Sequence, residues 1–198
     1  MDRETQMKEP ARYAKDYLQQ SLEAMRTISP DDVARLIEIL QAARQGQKHV
    51  FVCGNGGSAA TASHLAAGLG NEGSRGREKK FRVLALTDNI PWITSLANDS
   101  DYSAIFVEQL KNFAQPGDVL IVFSGSGNSP NVIRAVEWAN DAGLLTVGIT
   151  GRPGGKLANL ARHTIFVEST HIGRVEEGHF LIQHLVTYYF AESSRDQV

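Results

Sequence analysis

Two loops rich in glycine and serine carry the residue types best suited to binding a small anion. They are the runs Cys53–Ser58 and Ser124–Ser129, and each follows an apolar, strand-like run and precedes a helix-like segment. Glycine lets the backbone approach an anion closely, and the first N–H groups of a helix have no partner inside the helix. The two loops therefore predict a site for a phosphorylated small molecule, with serine hydroxyls as further donors. The loop residues that we expect to bind it are Asn55, Gly56, Gly57, Ser58, Ser124, Ser126 and Ser129.

The second loop is the more specific signal, because three serines are spaced around intervening glycines. It contains neither lysine nor arginine, so neutral donors and helix dipoles would hold the phosphate. The first loop reads G-N-G-G-S and lacks the dinucleotide pattern G-x-G-x-x-G, and the chain has no G-x-x-x-x-G-K-[ST] run. These differences argue against a nucleotide cofactor.

The segments that must position these loops alternate between short apolar runs and helical stretches. Continuous apolar runs are typical of strands buried on both faces, and their alternation with helices predicts a parallel sheet in a three-layer α/β fold. Ligands of such folds bind beyond the carboxyl ends of the strands, where both loops lie. The predicted strands are His49–Cys53, Arg82–Thr87, Asp118–Phe123, Leu144–Thr150 and Thr164–Val167.

Residues 1–47 form a predicted helical segment that precedes a predicted phosphate-binding α/β domain of residues 48–198. The second helix of this segment begins with Ser29 as its cap and Pro30 in its first turn, and it ends near Gly46. Two interpretations stay open. The helical pair either packs against another subunit or covers the sheet of its own domain.

Composition limits the class of protein. The chain has 198 residues, of which 42% are hydrophobic, enough for one sizeable core. A formal net charge of -2 provides no basic field, so nucleic acid is not the expected partner. No run approaches the roughly 18–20 apolar residues of a membrane span, which leads us to expect a cytoplasmic protein. Cys53 is the only cysteine and is expected in the core.

The order of short motifs along the chain resembles the phosphoheptose isomerase subfamily of the SIS (sugar isomerase) domain family. The motifs are Cys53–Ser58, His64, Asn98-Asp99, Gly117–Leu120, Ser126–Ser129, Thr150-Gly151, Gly154-Gly155 and Glu177–His179. The resemblance implies a flavodoxin-like α/β fold and a homotetramer with active sites at subunit interfaces. It also implies that Ser58, Ser124, Ser126 and Ser129 hold the phosphate of a sugar such as sedoheptulose 7-phosphate.

Aldose–ketose isomerisation through an enediol needs a base for the carbon-bound proton and an acid or a metal at the carbonyl oxygen. In the resembled isomerases, a His and a Glu four residues later, together with a Gln and a His eight residues later, can hold zinc. The matching histidines of this chain are His64 and His184. However, the Glu position is Gly68 and the Gln position is Glu176.

Two interpretations of these departures stay open. In the first, Glu176 replaces the missing acid. Glu176 and His184 then act as acid and base, and His64, Glu176 and His184 hold Zn²⁺. Alternatively, the protein is a non-catalytic sugar-phosphate sensor or a partner-binding tetramer, as in a member of the subfamily that associates with a replication initiator. On one unbroken helix, eight residues span ~12 Å, too far for Glu176 and His184 to share a metal. Either Glu176 precedes the helix or the two side chains meet across a subunit boundary.

Three further residues near these motifs have open roles. His179 lies one turn from Glu176 and would either pair with it or lie at the surface or an interface as a structural histidine. Asp88 and Asp99 are predicted in loops beyond the second strand, where they would bind sugar hydroxyls or remain solvated. We include Asp99 among the expected substrate-binding residues.

Overall fold

A five-stranded parallel sheet forms the centre of the computed structural model, which describes residues 9–193. The strand order is β2-β1-β3-β4-β5, and every neighbouring pair is parallel. This order confirms the predicted flavodoxin-like three-layer α/β fold. The strands are β1 (His49–Gly54), β2 (Arg82–Ala85), β3 (Val119–Ser124), β4 (Leu145–Gly151) and β5 (His163–Val167).

Helices cover both faces of the sheet. They are α1 (Pro10–Arg26), α2 (Pro30–Gln45), α3 (Gly57–Gly70), α4 (Ile90–Asp99), α5 (Val107–Phe113), α6 (Pro130–Asp141), α7 (Leu157–Leu160) and α8 (Ile172–Glu192). Single 3₁₀ turns span Glu72–Ser74 and Tyr102–Ala104. Within residues 9–193, no helix combines the length and the apolar character needed to cross a membrane.

The two faces of the sheet have separate hydrophobic clusters because successive strand residues point to opposite sides. Val50 and Val52 of β1 pack with α2, α3 and α8, whereas Phe51 and Cys53 pack with α5 and α6 on the other face. Cys53 is fully buried, as predicted, and burial raises the pKa of its thiol. Strand β2 departs from the predicted double-sided burial, since it is an edge strand with three of its four residues at least partly exposed.

Of the N-terminal helices, α2 packs on the sheet of its own chain and α1 packs against α8. The Oγ of Ser29 accepts a hydrogen bond from the N–H of Asp32 (3.2 Å), which confirms the predicted cap, and Gly46 is the C-cap of α2. Leu36 and Leu40 belong to the same cluster as β1, β3 and α8. On α1, by contrast, Leu18 and Leu22 are exposed. Contact of this segment with another subunit stays a prediction.

Candidate functional site

The two glycine- and serine-rich loops meet at the carboxyl edge of the sheet, joined by a pair of asparagines. The Nδ2 of Asn55 donates to Oδ1 of Asn131 (2.9 Å), and Nδ2 of Asn131 donates to Oδ1 of Asn55 (2.8 Å). The hydroxyl of Tyr102 also donates to Oδ1 of Asn55 (3.2 Å). Buried Asn131 and exposed Tyr102 were not predicted as site residues. The sequence could have indicated Asn131, because this polar residue lies two positions beyond Ser129, in the first turn of α6.

The second loop is held in shape by its own serines and by the segment after β4. The Oγ of Ser124 accepts from the N–H of Gly127 (3.2 Å), and Oγ of Ser126 accepts from the N–H of Asn128 (3.3 Å). Gly127 has a φ of 64°, and a Cβ there would lie 1.9 Å from the carbonyl oxygen of Gly154. Glycine is therefore required at this position, both for its backbone angle and for the close approach.

A cavity of about 150 Å³ opens between the N-termini of α3 and α6. No lysine or arginine of the described residues lines it. Its polar wall therefore offers neutral donors, as the sequence indicated, together with one carboxylate, that of Glu176. The polar residues on its wall are Asn55, Ser58, Ser124, Ser126, Ser129 and Glu176. Gly56, with a φ of 55°, caps α3, and Gly57 begins that helix beside the cavity. The structure thus gathers the predicted loop residues, and their binding of phosphate stays a prediction.

Glu176 lies where this small cavity meets a larger one. The second cavity has a volume of about 630 Å³, and Glu176 lines both. The larger cavity is also lined by Phe180 and His184 of α8 and by Tyr17 of α1. A Cβ at Gly57 would lie 2.6 Å from Oε1 of Glu176. The carboxylate therefore occupies the space that the absent side chain of Gly57 leaves open.

His64 and His184 form an aromatic cluster with Phe180 between α3 and α8. The ring centroids of the two histidines are 5.1 Å apart with their planes at 87°, and Phe180 lies 5.0 Å from His64 and 4.7 Å from His184. His64 and Phe180 are exposed, and His184 is half-buried. Phe180 and His184 thus form part of the wall of the larger cavity, whereas His64 contacts them without lining it.

Glu176 and His184 lie two turns apart on one continuous helix. Because α8 runs unbroken from Ile172 to Glu192, the alternative that Glu176 precedes the helix is wrong. Among the residues that the structure describes, no group of three or more His, Cys, Asp or Glu side chains is close enough to hold a metal ion. The donor set of His64, Glu176 and His184 in one chain therefore does not fit Zn²⁺, and a complete site would need a ligand from a second chain.

Gly68 stands where the resembled isomerases have their glutamate, and the helix packing fills the space beside it. A Cβ at Gly68 would lie 2.7 Å from Oγ1 and 2.8 Å from Cγ2 of buried Thr187. Helices α3 and α8 approach too closely here for any larger side chain. The glycine therefore accommodates the neighbouring helix and leaves no room for a larger ligand.

His179 does not pair with Glu176, and it is not a surface or interface histidine of this chain. Its side chain is fully buried with its ring centroid 5.6 Å from that of Phe123, and neither ring nitrogen has a hydrogen-bond partner in the described part of the chain. Both predictions for this residue are wrong because the rotation of α8 turns position 179 toward the sheet. Burial lowers the pKa of His179 to about 4.

Of the two acidic residues beyond β2, Asp88 lies in a loop as predicted, whereas Asp99 does not. Asp99 is the last residue of α4 and not part of a loop, and its carboxylate accepts a hydrogen bond from Nδ2 of Asn98 (2.8 Å). It lines neither cavity described above. Asp88 accepts hydrogen bonds from the hydroxyls of Ser63 and Thr87. Neither carboxylate is thus brought to the serine-lined cavity in one chain.

Comparison with known proteins gives a consistent set of relatives. A family model described as "SIS domain" matches residues 13–151. The chain is 36% identical over 172 residues to the probable phosphoheptose isomerase of Thermoplasma volcanium, covering 86% of this chain and 87% of that protein. It is 42% identical over 137 residues to the phosphoheptose isomerase of Crocosphaera subtropica, covering 69% of each. A solved phosphoheptose isomerase from Francisella tularensis superposes with a TM-score of 0.85 at 28% identity, over 93% of this chain and 99% of that one.

Proposed function

Since the chain belongs to the SIS domain family, we propose that it is a phosphosugar isomerase that interconverts a ketose and an aldose phosphate through an enediol. Sedoheptulose 7-phosphate is the proposed substrate, on the strength of the relatives named phosphoheptose isomerase. The observation that carries the proposal is the position of Glu176. It places a carboxylate at the junction of a serine-lined, anion-sized cavity and a cavity large enough for a sugar chain.

Phosphate binding is assigned to the serine-lined cavity. The hydroxyls of Ser58, Ser124, Ser126 and Ser129 and the first N–H groups of α3 and α6 would donate to the phosphate oxygens. The sugar carbons would then occupy the larger cavity, whose wall includes Glu176, Phe180 and His184. One substrate can therefore touch the phosphate loops and both candidate acid–base groups.

The proton transfers follow from this placement. The carboxylate of Glu176 takes the proton from C1 of the ketose, and the electron pair moves to form the C1–C2 double bond of an enediol as the C2 carbonyl oxygen gains a proton from His184. Return of a carbon-bound proton to C2 and loss of the C1 hydroxyl proton give the aldose. The net reaction moves two hydrogens and consumes no oxidant. His64 acts as a positioning residue, with its ring 5.1 Å from that of His184.

Self-association and zinc belong to the same proposal. Exposed apolar side chains on α1 and α8, among them Leu18, Leu22, Leu185 and Tyr188, support a homotetramer whose subunits close the larger cavity. A second chain would also supply the ligand that one chain lacks for zinc. Molar mass by light scattering tests the tetramer, and the metal content of the purified protein tests zinc.

The second candidate function is a phosphosugar sensor without turnover, favoured by the contact of Gly68 with Thr187. That contact excludes the acid that the resembled isomerases carry on α3. The discriminating experiment incubates the protein with sedoheptulose 7-phosphate and follows the anomeric proton of the aldose product by NMR. Product formation supports the isomerase. Saturable binding without product supports the sensor and overturns the isomerase for this sugar.

A further inference from the structure

A third cavity lies at the other end of α8 from the candidate active site. It has a volume of about 560 Å³ and lies between the last turn of α2, the segment 76–79 and the end of α8. None of its described lining residues belongs to either of the two cavities described above. Phe190 on its wall is fourteen residues from Glu176 along α8, which corresponds to about 21 Å. The cavity is therefore separate from the proposed isomerase site.

Two arginines and a lysine give this cavity its positive charge. Arg44 of α2 is buried, with a relative exposure of 7%. Its guanidinium carbon lies 5.6 Å from the ring centroid of Phe81 and 5.7 Å from that of Phe190. An Nη2 of Arg77 donates to the carbonyl oxygen of Phe190 (2.6 Å). The Nζ of Lys79, in the same wall, donates to a backbone carbonyl of α2 (2.9 Å). All three cations are thus held in place by neutral partners.

No anion of residues 9–193 compensates the two guanidinium groups. Among residues 9–193, neither Arg44 nor Arg77 has an ion-pair partner, and the Nε of each is buried without a hydrogen-bond partner. Glu78, the one acidic residue of the described lining, is exposed and forms no ion pair with either arginine. Burial, and then the neighbouring charge of Arg77, lower the pKa of Arg44. Two uncompensated cations in a partly buried wall are unfavourable unless an anion joins them.

We propose that this cavity is a second anion site, in which Arg44 and Arg77 bind the phosphate group of a small molecule from solution. Guanidinium groups present paired donors that match phosphate oxygens, and both arginines line the cavity. The cavity is larger than a phosphate ion needs. Exposed Tyr189 and the side-chain amides of Gln41 and Gln45 line the remaining space and can contact an attached sugar or ring. A phosphomonoester therefore fits this lining better than a free ion.

A second source of negative charge is the chain itself. Asp196 follows Ser193 of the cavity wall by three residues and lies outside the described residues. Its carboxylate shares the anionic chemistry of phosphate. The test must therefore separate a ligand from solution from an intramolecular carboxylate, and the variant Asp196→Asn makes that separation.

The test uses the arginine Nε–Hε signals in ¹H–¹⁵N NMR spectra of the full chain titrated with inorganic phosphate, against chloride at equal ionic strength. Arg44→Lys and Arg77→Lys assign the two signals. We expect both signals to shift saturably in the parent and in Asp196→Asn. In Arg77→Gln, the phosphate concentration that half-saturates the shift of the Arg44 signal should rise roughly tenfold or more. Arg35→Gln is the matched control, since Arg35 is an exposed residue of α2 already paired with Glu38.

Three outcomes overturn the proposal. Signals that do not move in either the parent or Asp196→Asn exclude phosphate binding here, and signals that move only in Asp196→Asn show that the chain's own carboxylate occupies the cavity. Shifts lost in Ser124→Ala with Ser126→Ala show binding at the serine loops alone. If the Arg44 variant does not fold, Arg77→Gln and Lys79→Gln provide the comparison. The readout involves no turnover, so its failure leaves the isomerase proposal unaffected.

Discussion

The carboxylate of Glu176 lies directly against the backbone of Gly57, so that a Cβ on Gly57 would be 2.6 Å from Oε1 of Glu176. Gly57 begins α3, the helix that follows the first phosphate loop, and Glu176 lies in the second turn of α8. The missing side chain of one helix thus provides the space for the acid of the other. This contact links the phosphate loops to the candidate base.

Gly57→Ala should displace the carboxylate of Glu176 and lower kcat, roughly tenfold or more if the base moves by about 1 Å. If the effect operates through Glu176, adding Gly57→Ala to Glu176→Gln should cause little further loss. Steady-state kinetics of the parent, both single variants and the double variant measure this coupling. Losses that multiply independently would contradict the link between the two residues.

The serine loops should govern binding more than turnover. Ser124→Ala or Ser126→Ala removes a hydroxyl from the cavity wall and should weaken phosphosugar binding by about 1 kcal/mol, or roughly fivefold, with a smaller change in kcat. Calorimetric titration with sedoheptulose 7-phosphate measures the affinity. Ser95→Ala is the control, because Ser95 is an exposed residue of α4 outside the cavity. An equal loss of affinity in all three variants would contradict the assignment of phosphate binding to the serine loops.

Restoring a glutamate at position 68 should destabilise the protein. The side chain would collide with Thr187, and such overpacking costs about 1–3 kcal/mol of the free energy of unfolding. Urea denaturation of Gly68→Glu measures this loss, and Thr187→Ala in the same chain should recover part of it. Gly70→Ala is the control, since its Cβ would meet only Val83 at 3.5 Å. A Gly68→Glu protein as stable as the parent would show that α3 and α8 do not pack as described.

Stability should fall as the pH decreases from 6.5 toward 4 because of His179. Its pKa is about 4 in the folded chain and 6.5 for the free side chain, so the unfolded state binds the proton first. A pKa difference of this size corresponds to about 3 kcal/mol, fully present above pH 6.5 and lost by pH 4.

Urea denaturation at a series of pH values measures this effect as the difference between the parent and His179→Leu. The variant should have the flatter profile between pH 6.5 and 5, where few carboxylates titrate. His171→Gln, which changes an exposed histidine at the start of α8, should keep the parent profile. Identical profiles for the parent and His179→Leu would be inconsistent with a buried neutral histidine.

The sequence predicts the elements of this fold well, and the contacts between helices poorly. Apolar runs locate five strands to within two residues at each end, and Ser29 locates the start of α2, because these signals are local. The inward turn of His179 depends on how α8 rotates against the sheet. The contact of Gly68 with Thr187 and the shared cavity of Arg44 and Arg77 join residues that are distant in the chain. No periodicity in the sequence encodes such pairings.

The most direct test of the central claim is solvent deuterium incorporation into sedoheptulose 7-phosphate in D₂O, followed by ¹H NMR. The parent and Glu192→Gln, a control at the exposed end of α8, should both exchange the C1 proton of the ketose. Glu176→Gln should still bind the sugar phosphate but should exchange this proton at least roughly a hundredfold more slowly, as expected for loss of a general base. Exchange in Glu176→Gln at the rate of the parent would contradict the assignment of Glu176 as the base.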